Sequence, residues 1–220
     1  MNQALFIGGM HKSFNRVPIL ENISLWCYSG EIIGLFGRNG SGKSTLLKCI
    51  YGVIKKDEGQ VLIDGKRMTF QKIIREKKIG YLPQNSFLPK EKSVRDLIPL
   101  FFPEEAKQDA IFYAPGVHKL EKTRVGKLSL GALRYLEVLF LMNCDHPFLM
   151  LDEPFSMIQP LYKERIKELL LSAKKEKGII ITDHYYEDVL TISDRNILVK
   201  DRKLIPINSA DDLKIAGYLR

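Results

Sequence analysis

Residues 37–45 read Gly37-Arg38-Asn39-Gly40-Ser41-Gly42-Lys43-Ser44-Thr45 and match the pattern GxxxxGK followed by Ser or Thr. This run follows an apolar stretch, Glu31–Phe36, that predicts a strand, and a helical pattern, Lys43–Tyr51, begins within it. A glycine-rich loop between a strand and a helix can curl so that several backbone N–H groups point inward, beside the positive end of the helix dipole. The sequence therefore predicts a phosphate-binding loop in an α/β fold.

The loop side chains carry specific chemical expectations. We expect Lys43 to reach the β- and γ-phosphates of a nucleotide and the Ser44 hydroxyl to ligate Mg²⁺. The motif indicates a nucleotide but not a reaction. The predicted nucleotide-binding residues of the loop are Gly37, Asn39, Gly40, Ser41, Gly42, Lys43, Ser44 and Thr45.

A pair of acidic residues, Asp152 and Glu153, follows the apolar run Phe148–Leu151. Four apolar residues predict a buried strand, and open α/β sheets bind ligands at the carboxyl ends of their strands. We therefore expect Asp152 to join the Mg²⁺ shell. We expect Glu153 to act as a general base that orients water on the γ-phosphate.

Strand and helix patterns alternate along the whole chain, which is typical of an α/β sheet. We predict a P-loop NTPase core with a mostly parallel sheet, an N-terminal antiparallel β subdomain and a small inserted helical subdomain. Residues 1–220 are predicted to form one domain, with 85–128 and the helix at 129–143 as the helical part. The predicted strands are 4–7, 23–28, 31–36, 61–63, 79–82, 147–151, 178–182 and 197–199, and the predicted helices are 43–51, 130–143, 160–176 and one starting after Ser209.

Composition narrows the classes of partner. The 220 residues include 34 Lys and Arg against 26 Asp and Glu, a net charge of +8, and residues 1–84 hold 13 of the basic and 6 of the acidic residues. Such an excess suggests nucleic acid, anionic lipid or a polyphosphate as partner. Three scattered cysteines do not form a disulfide framework or a CxxC zinc site. No apolar run approaches the ~18 residues needed to span a bilayer.

The order of these motifs resembles that of the ATP-binding subunits of ABC transporters over nearly all of the chain. Gln84, after the run Ile79–Leu82, stands where the family has its Q-loop glutamine, and His184, after Gly178–Thr182, stands at the switch histidine. By this resemblance both are catalytic: His184 contacts the γ-phosphate, and Gln84 senses Mg²⁺ and the permease. In isolation, His184 would read better as a helix-capping or core histidine.

The resemblance also implies an aromatic ring that stacks on adenine, and Phe14 stands in the corresponding place. Stacking of this kind is worth ~1–3 kcal/mol and accepts any flat ring. The alternative is that Phe14 is a core residue at the end of a strand.

Two motifs depart from the family pattern. The signature LSGGQ reads Leu128-Ser129-Leu130-Gly131-Ala132, so Ser129 and Gly131 remain as the residues implied to approach ATP held by another subunit. Leucine at position 130 is unfavourable if a positive φ is needed there. The loop after the catalytic glutamate, SxLD in the family, reads Ser156-Met157-Ile158-Gln159. Both departures lie in elements that the resemblance places across a dimer.

The resemblance implies a subunit that binds and hydrolyses ATP with Mg²⁺ and powers transport through dimer closure. The implied partners are a second ATP-binding subunit and a separate transmembrane permease, which would hold the chain in the cytoplasm on the inner face of the cell membrane. No nucleic-acid partner is expected. Alternatives are a catalytically weakened subunit of a heterodimer, a nucleic-acid-linked ABC ATPase, and a non-catalytic regulatory partner. The sequence indicates neither the cargo nor the direction of transport.

Overall fold

Strands and helices alternate around two β-sheets in the computed structural model, which describes residues 3–218. Two single 3₁₀ turns, Val117–Lys119 and Val125–Lys127, precede the helix Leu130–Asn143. In chain order the elements are β1 (Ala4–Phe14), β2 (Val17–Tyr28), β3 (Ile32–Phe36), α1 (Lys43–Tyr51), β4 (Glu58–Ile63), β5 (Lys66–Arg67), α2 (Phe70–Arg75), β6 (Ile79–Leu82), α3 (Val94–Phe101), α4 (Glu105–Phe112), α5 (Leu130–Asn143), β7 (Phe148–Asp152), α6 (Pro160–Ala173), β8 (Gly178–Thr182), α7 (Tyr186–Leu190), β9 (Arg195–Lys200), β10 (Lys203–Ile207) and α8 (Ala210–Ile215).

The two sheets differ in strand direction. The smaller sheet, in the order β2-β1-β4-β5, is antiparallel. The larger sheet has the order β10-β9-β3-β8-β7-β6, and its pairs are parallel except for β10, which runs antiparallel at the edge. This topology confirms the predicted α/β fold with a mostly parallel sheet and an antiparallel N-terminal part. It also brings the carboxyl ends of β3, β7 and β8 to one edge of the sheet.

Helix α1 lies between the two sheets. Its buried side chains, including Leu46, Leu47 and Ile50, share one hydrophobic cluster with β1, β2 and β4 and with one face of the larger sheet. Helices α5, α6 and α7 cover the opposite face of that sheet. Strands buried on both faces carry continuous apolar runs, and every residue of β7 and β8 is accordingly buried.

The hairpin of β1 and β2 is longer than predicted. The sequence predicts a strand over residues 4–7 only, just before Gly8-Gly9, whereas β1 continues to Phe14. The pairing with β2 shifts register after Ile7, and Gly9 has φ 57° while its N–H donates to Ser24 Oγ at 3.0 Å. A β-bulge thus keeps the glycines within the strand. The continued strand brings Phe14 next to the loop at residues 37–45.

Short sequence patterns mark a turn and a helix start elsewhere in the chain. The turn Asp64-Gly65 joins β4 and β5, with both residues at positive φ, as is typical of a two-residue hairpin turn. The last helix, α8, starts after Ser209 as predicted, and Ser209 and Asp212 form a capping box there. Helices α2 and α7 and strands β5 and β10 were not predicted, and α6 ends at Ala173, before the predicted residue 176. Within residues 3–218, no helix has the length and apolarity to cross a membrane.

Candidate nucleotide-binding site

The loop at residues 37–45 encloses the amino end of α1. A Cβ atom on Gly37 would lie 2.4 Å from Ser41 Oγ, and Gly42, the N-cap residue of α1, has φ 103°. Both positions therefore require glycine. No side chain caps α1, so the N–H groups of its first turn are free to bind an anion.

Lys43 is a buried cation at the start of α1, with 6% of its surface exposed. Its Nζ donates to the carbonyl oxygen of Gly37 at 2.7 Å and to that of Arg38 at 3.3 Å. Burial lowers the pKa of Lys43, and neighbouring carboxylates oppose that shift. Within residues 3–218, the Ser41 hydroxyl is buried without a hydrogen-bond partner. An unpartnered hydroxyl and an ammonium held only by carbonyls both suit phosphate oxygens.

Asp152 ends β7 and is fully buried. Its Oδ1 accepts a hydrogen bond from Ser44 Oγ at 2.9 Å, and its Oδ2 accepts one from the Tyr81 hydroxyl at 3.1 Å. Burial raises the pKa of Asp152, and these two hydrogen bonds oppose the rise.

These oxygen donors fit Mg²⁺, which is usually held by one or two carboxylates together with substrate phosphates. In the part of the chain that the structure describes, no cluster of three or more His, Cys, Asp or Glu residues could hold a metal. Phosphate oxygens of the nucleotide would therefore supply ligands beside Ser44 and Asp152.

Glu153 follows β7 in a strained conformation, with φ 57°. Such a backbone costs about 1–3 kcal/mol in a non-glycine residue, and its N–H is held by the Thr182 carbonyl at 2.8 Å. Oε1 of Glu153 accepts from Gln84 Nε2 at 2.8 Å and lies 3.0 Å from His184 Nε2. Oε2 accepts from Ser156 Oγ at 3.3 Å. The three residues predicted to be catalytic are therefore in direct contact.

A cleft of about 410 Å³ joins the loop to these residues. Gln84 links its two sides, because the same amide nitrogen reaches Ser44 Oγ at 3.4 Å. Phe14 lies at the rim with 44% of its surface exposed, so it is not a core residue, and the Lys12 ammonium is 5.0 Å from its ring centroid. The cleft is lined by Phe14, Ile19, Asn39, Gly40, Gly42, Lys43, Ser44, Thr45, Gln84, Glu153 and His184.

Asp183 is a buried residue that the sequence reasoning missed. Its Oδ2 accepts from the N–H of Phe155 at 2.6 Å, and its Oδ1 accepts from Ser156 Oγ at 3.1 Å and from the N–H of Tyr185 at 3.0 Å. Burial raises the pKa of Asp183, and these hydrogen bonds oppose the rise. One carboxyl group thus joins the loop after Glu153 to the loop that carries His184. The available signal was its position directly after a buried strand, like that of Asp152.

Ser129 and Gly131 lie at the start of α5 and do not line the cleft. Ser129 caps the helix, with its Oγ accepting from the N–H of Ala132 at 3.2 Å. A Cβ atom on Gly131 would lie 2.6 Å from the ring of Tyr162. Leu130 has no positive φ, so the backbone penalty considered for a leucine at this position does not arise, and its side chain is 51% exposed.

A buried ion pair fixes the Gln84 segment to α5. Arg134 donates from Nη1 to the carbonyl of Pro83 at 2.8 Å and to Glu137 Oε2 at 3.2 Å, and from Nη2 to the carbonyl of Gln84 at 2.8 Å. Oε1 of Glu137 accepts from the N–H of Phe87 at 3.1 Å. The backbone before and after Gln84 is therefore attached to one helix.

The phosphate-binding loop, the buried carboxylate and the strained glutamate define an α/β nucleotide-binding protein of the P-loop class. A family model described as "ABC transporter" matches residues 20–156. The match spans more than half of the chain, which therefore belongs to the ABC transporter family.

Individual relatives agree with this assignment. The lipopolysaccharide export system ATP-binding protein LptB of Acidithiobacillus ferridurans is 27% identical over 224 residues, which cover 97% of this chain and 93% of that protein. The galactose/methyl galactoside import ATP-binding protein MglA of Escherichia coli O157:H7 is 30% identical over 218 residues, covering 91% of this chain and 42% of that protein. A solved nucleotide-free ATP-binding cassette from an ABC transporter has the same fold, with a TM-score of 0.83 at 23% identity over 98% of this chain and 95% of that one.

The chain is thus an ATP-binding subunit of the ABC transporter type, and membership of this family implies ATP hydrolysis. The relatives include one named for export and one named for import, so their names do not give a direction of transport for this chain.

Proposed function

We propose that this chain hydrolyses ATP with Mg²⁺ to drive transport through a separate membrane permease. The observation that carries the proposal is the contact of Glu153 with both Gln84 and His184 beside Ser44, at the mouth of a preformed phosphate loop. A base, a γ-phosphate partner and a metal ligand thus share one cleft.

In the proposed reaction, the N–H groups of the loop and Lys43 bind the phosphates. Ser44, Asp152 and Gln84 would hold Mg²⁺, which when bound neutralises charge on the β- and γ-phosphates. Glu153 accepts a hydrogen bond from the attacking water and orients it, and its carboxylate is already held by three side chains. His184 would contact the γ-phosphate.

The remaining predicted site residues have parts in the same proposal. Phe14 would stack on adenine at the rim, where nearly half of its surface is free. Ser129 and Gly131, which lie outside the cleft, would complete the site of a second subunit. Two chains would then enclose ATP between them, close on binding and reopen on hydrolysis.

The permease would contact the segment from Gln84 to α5. That segment is joined to the cleft through Gln84 and to α5 through Arg134. A displacement of the segment by the permease would therefore be transmitted to Glu153. This placement would hold the chain on the inner face of the membrane. No nucleic-acid partner is part of the proposal.

The variant Glu153→Gln tests the assignment of the base. We expect turnover to fall by about 10²–10⁴-fold, the usual contribution of general base catalysis, with ATP affinity retained. Glu58→Gln is a matched control, because Glu58 is exposed on β4 and lies outside both the cleft and the segment from Gln84 to α5, and its turnover should equal that of the natural sequence. ATP hydrolysis by Glu153→Gln at the natural rate would refute the assignment.

A heterodimer with a different ATP-binding subunit is the second candidate. It is favoured by the altered signature at residues 128–132 and by the altered loop at residues 156–159. Leu130 and Ala132 replace a glycine and a glutamine, and Gln159 makes no capping bond at the start of α6. The expected result is that the purified Glu153→Gln chain stays monomeric with ATP. A symmetric ATP-dependent dimer of this chain alone, measured by light scattering, would contradict the candidate.

A further inference from the structure

Tyr81, on β6, is a residue that the reaction outlined above does not use. It does not line the nucleotide cleft, yet its hydroxyl donates to Asp152 Oδ2 at 3.1 Å. The two residues are 71 positions apart in sequence and meet because β6 and β7 are neighbouring parallel strands with Tyr81 paired to Met150. A side chain that does not line the cleft therefore contacts Asp152, a proposed metal ligand that is buried next to Ser44.

The two oxygens of the Asp152 carboxylate have different partners. Oδ1 accepts from Ser44 Oγ at 2.9 Å, and Oδ2 accepts from Tyr81. One donor on each oxygen fixes the rotation of the carboxylate about its Cβ–Cγ bond. Ser44 is itself a proposed metal ligand, whereas the Tyr81 hydroxyl has no other partner within residues 3–218, so the Tyr81 bond can persist unchanged when the metal is bound.

The phenol is held rigidly. Its ring stacks on that of Tyr51, the last residue of α1, with centroids 5.3 Å apart and planes inclined by 27°. The ring of Phe70 meets Tyr51 edge-on, with centroids 6.0 Å apart. A strand and two helices thus determine where the hydroxyl lies, which is the support that an oriented ligand needs.

We propose that Tyr81 is a positioning residue for Asp152, whose hydrogen bond keeps the carboxylate turned toward Ser44 and so sets the affinity of the site for a metal–nucleotide complex. The inference rests on the proposed function, because it concerns the Mg²⁺ site of the same cleft. It adds a residue that acts through Asp152 without touching metal or nucleotide.

Tyr81→Phe tests this directly, because it removes one oxygen and keeps the stacked ring. The measurement is the affinity of the full chain for a fluorescent ATP analogue with Mg²⁺ and again with EDTA. We expect the affinity in EDTA to be unchanged and the gain in affinity on adding Mg²⁺ to fall about tenfold, the lower range for loss of a residue that orients a metal ligand. The Mg²⁺ concentration that half-saturates ATP hydrolysis should rise, with kcat at saturating Mg²⁺ within about twofold.

Tyr51→Phe is the matched control. Tyr51 belongs to the same ring stack, and within residues 3–218 its hydroxyl makes no hydrogen bond to Asp152 or to another side chain. Its affinities with Mg²⁺ and with EDTA should both equal those of the natural chain. Far-UV circular dichroism and the unfolding midpoint of each variant report whether the fold is retained.

Two outcomes would overturn the inference. One is an unchanged gain on adding Mg²⁺ in a folded Tyr81→Phe variant, and the other is an equal loss of affinity with Mg²⁺ and with EDTA. Both differ from failure of the proposed function, in which the natural chain itself binds no nucleotide or hydrolyses none.

Discussion

Replacing Arg134 by methionine tests the ion pair that attaches the Gln84 segment to α5. The change removes the hydrogen bonds to two backbone carbonyls and to Glu137, whose side chain is 2% exposed. Breaking a buried pair from one side costs about 3–5 kcal/mol, because the remaining charge has lost its counter-ion and is shielded from water; here Glu137 keeps only the hydrogen bond from the Phe87 N–H. We therefore expect Arg134→Met to lose a large part of the 5–15 kcal/mol that typically stabilises a domain.

A double variant separates the charge from the packing. In Arg134→Met with Glu137→Leu, no charge is left buried, and the freed backbone groups belong to Pro83, Gln84 and Phe87, none of which is a buried residue. Water can satisfy these groups, so we expect the double variant to lose about 1–2 kcal/mol. It should be more stable than the single variant although it carries one more change.

Urea unfolding followed by far-UV circular dichroism measures both losses. At about 2–4 °C per kcal/mol for a chain of this size, the single variant should also melt roughly 6–20 °C lower. Two results would refute the reasoning: an Arg134→Met loss below about 1 kcal/mol, or a double variant no more stable than the single one. Either would mean that the isolated charge is not what destabilises the fold.

Three further changes have definite expected outcomes. Asp183→Ala removes the acceptor that joins the loop after Glu153 to the loop that carries His184, so under the proposed function ATP turnover should fall about 10–100-fold while binding of a fluorescent ATP analogue is little changed; unaltered turnover would contradict this role. Asp152→Asn tests the raised pKa of Asp152, which means that protonation of this carboxyl group favours the folded state. In metal-free buffer, the free energy of unfolding of the natural chain minus that of the variant should be greatest below about pH 4. This difference should decline as the pH rises through the folded-state pKa. Urea titrations at several pH values measure this difference in stability, and a difference that increases with pH would contradict the prediction. Gly131→Ala places a Cβ against the ring of Tyr162, so we expect a loss of about 1–3 kcal/mol in thermal unfolding, and an unchanged midpoint would show that α5 and α6 can separate freely.

Features set by near neighbours in sequence were predictable. The phosphate loop, the Asp64-Gly65 hairpin and the capping box of Ser209 all depend on residues within a few positions of one another. Buried strands such as β7 and β8 were also predictable, because parallel strands covered on both faces are apolar throughout. The acidic residues that follow them could then be placed at the carboxyl edge of the sheet.

Features set by distant contacts were not predictable from the sequence. Gly8-Gly9 looks like a strand break, and only the bulged pairing with β2 keeps it in β1. Tyr81 looks like an ordinary half-buried strand residue until β7 brings Asp152 to its hydroxyl. For Asp183, the position before His184 was visible in the sequence. Its contacts were not, because the two N–H groups that donate hydrogen bonds to it belong to different loops.

The burial of Lys43 among carboxyl groups has a consequence for nucleotide choice. Glu153, Asp152 and Asp183 all act on this ammonium, so nearby carboxyl groups offset the positive charge of Lys43, although the chain as a whole has a net charge of +8. A bare triphosphate would be repelled by these acids, whereas a triphosphate already carrying a divalent cation would meet a complementary field. Under the proposed function, we therefore expect the cleft to bind the nucleotide together with its cation more tightly than the nucleotide alone.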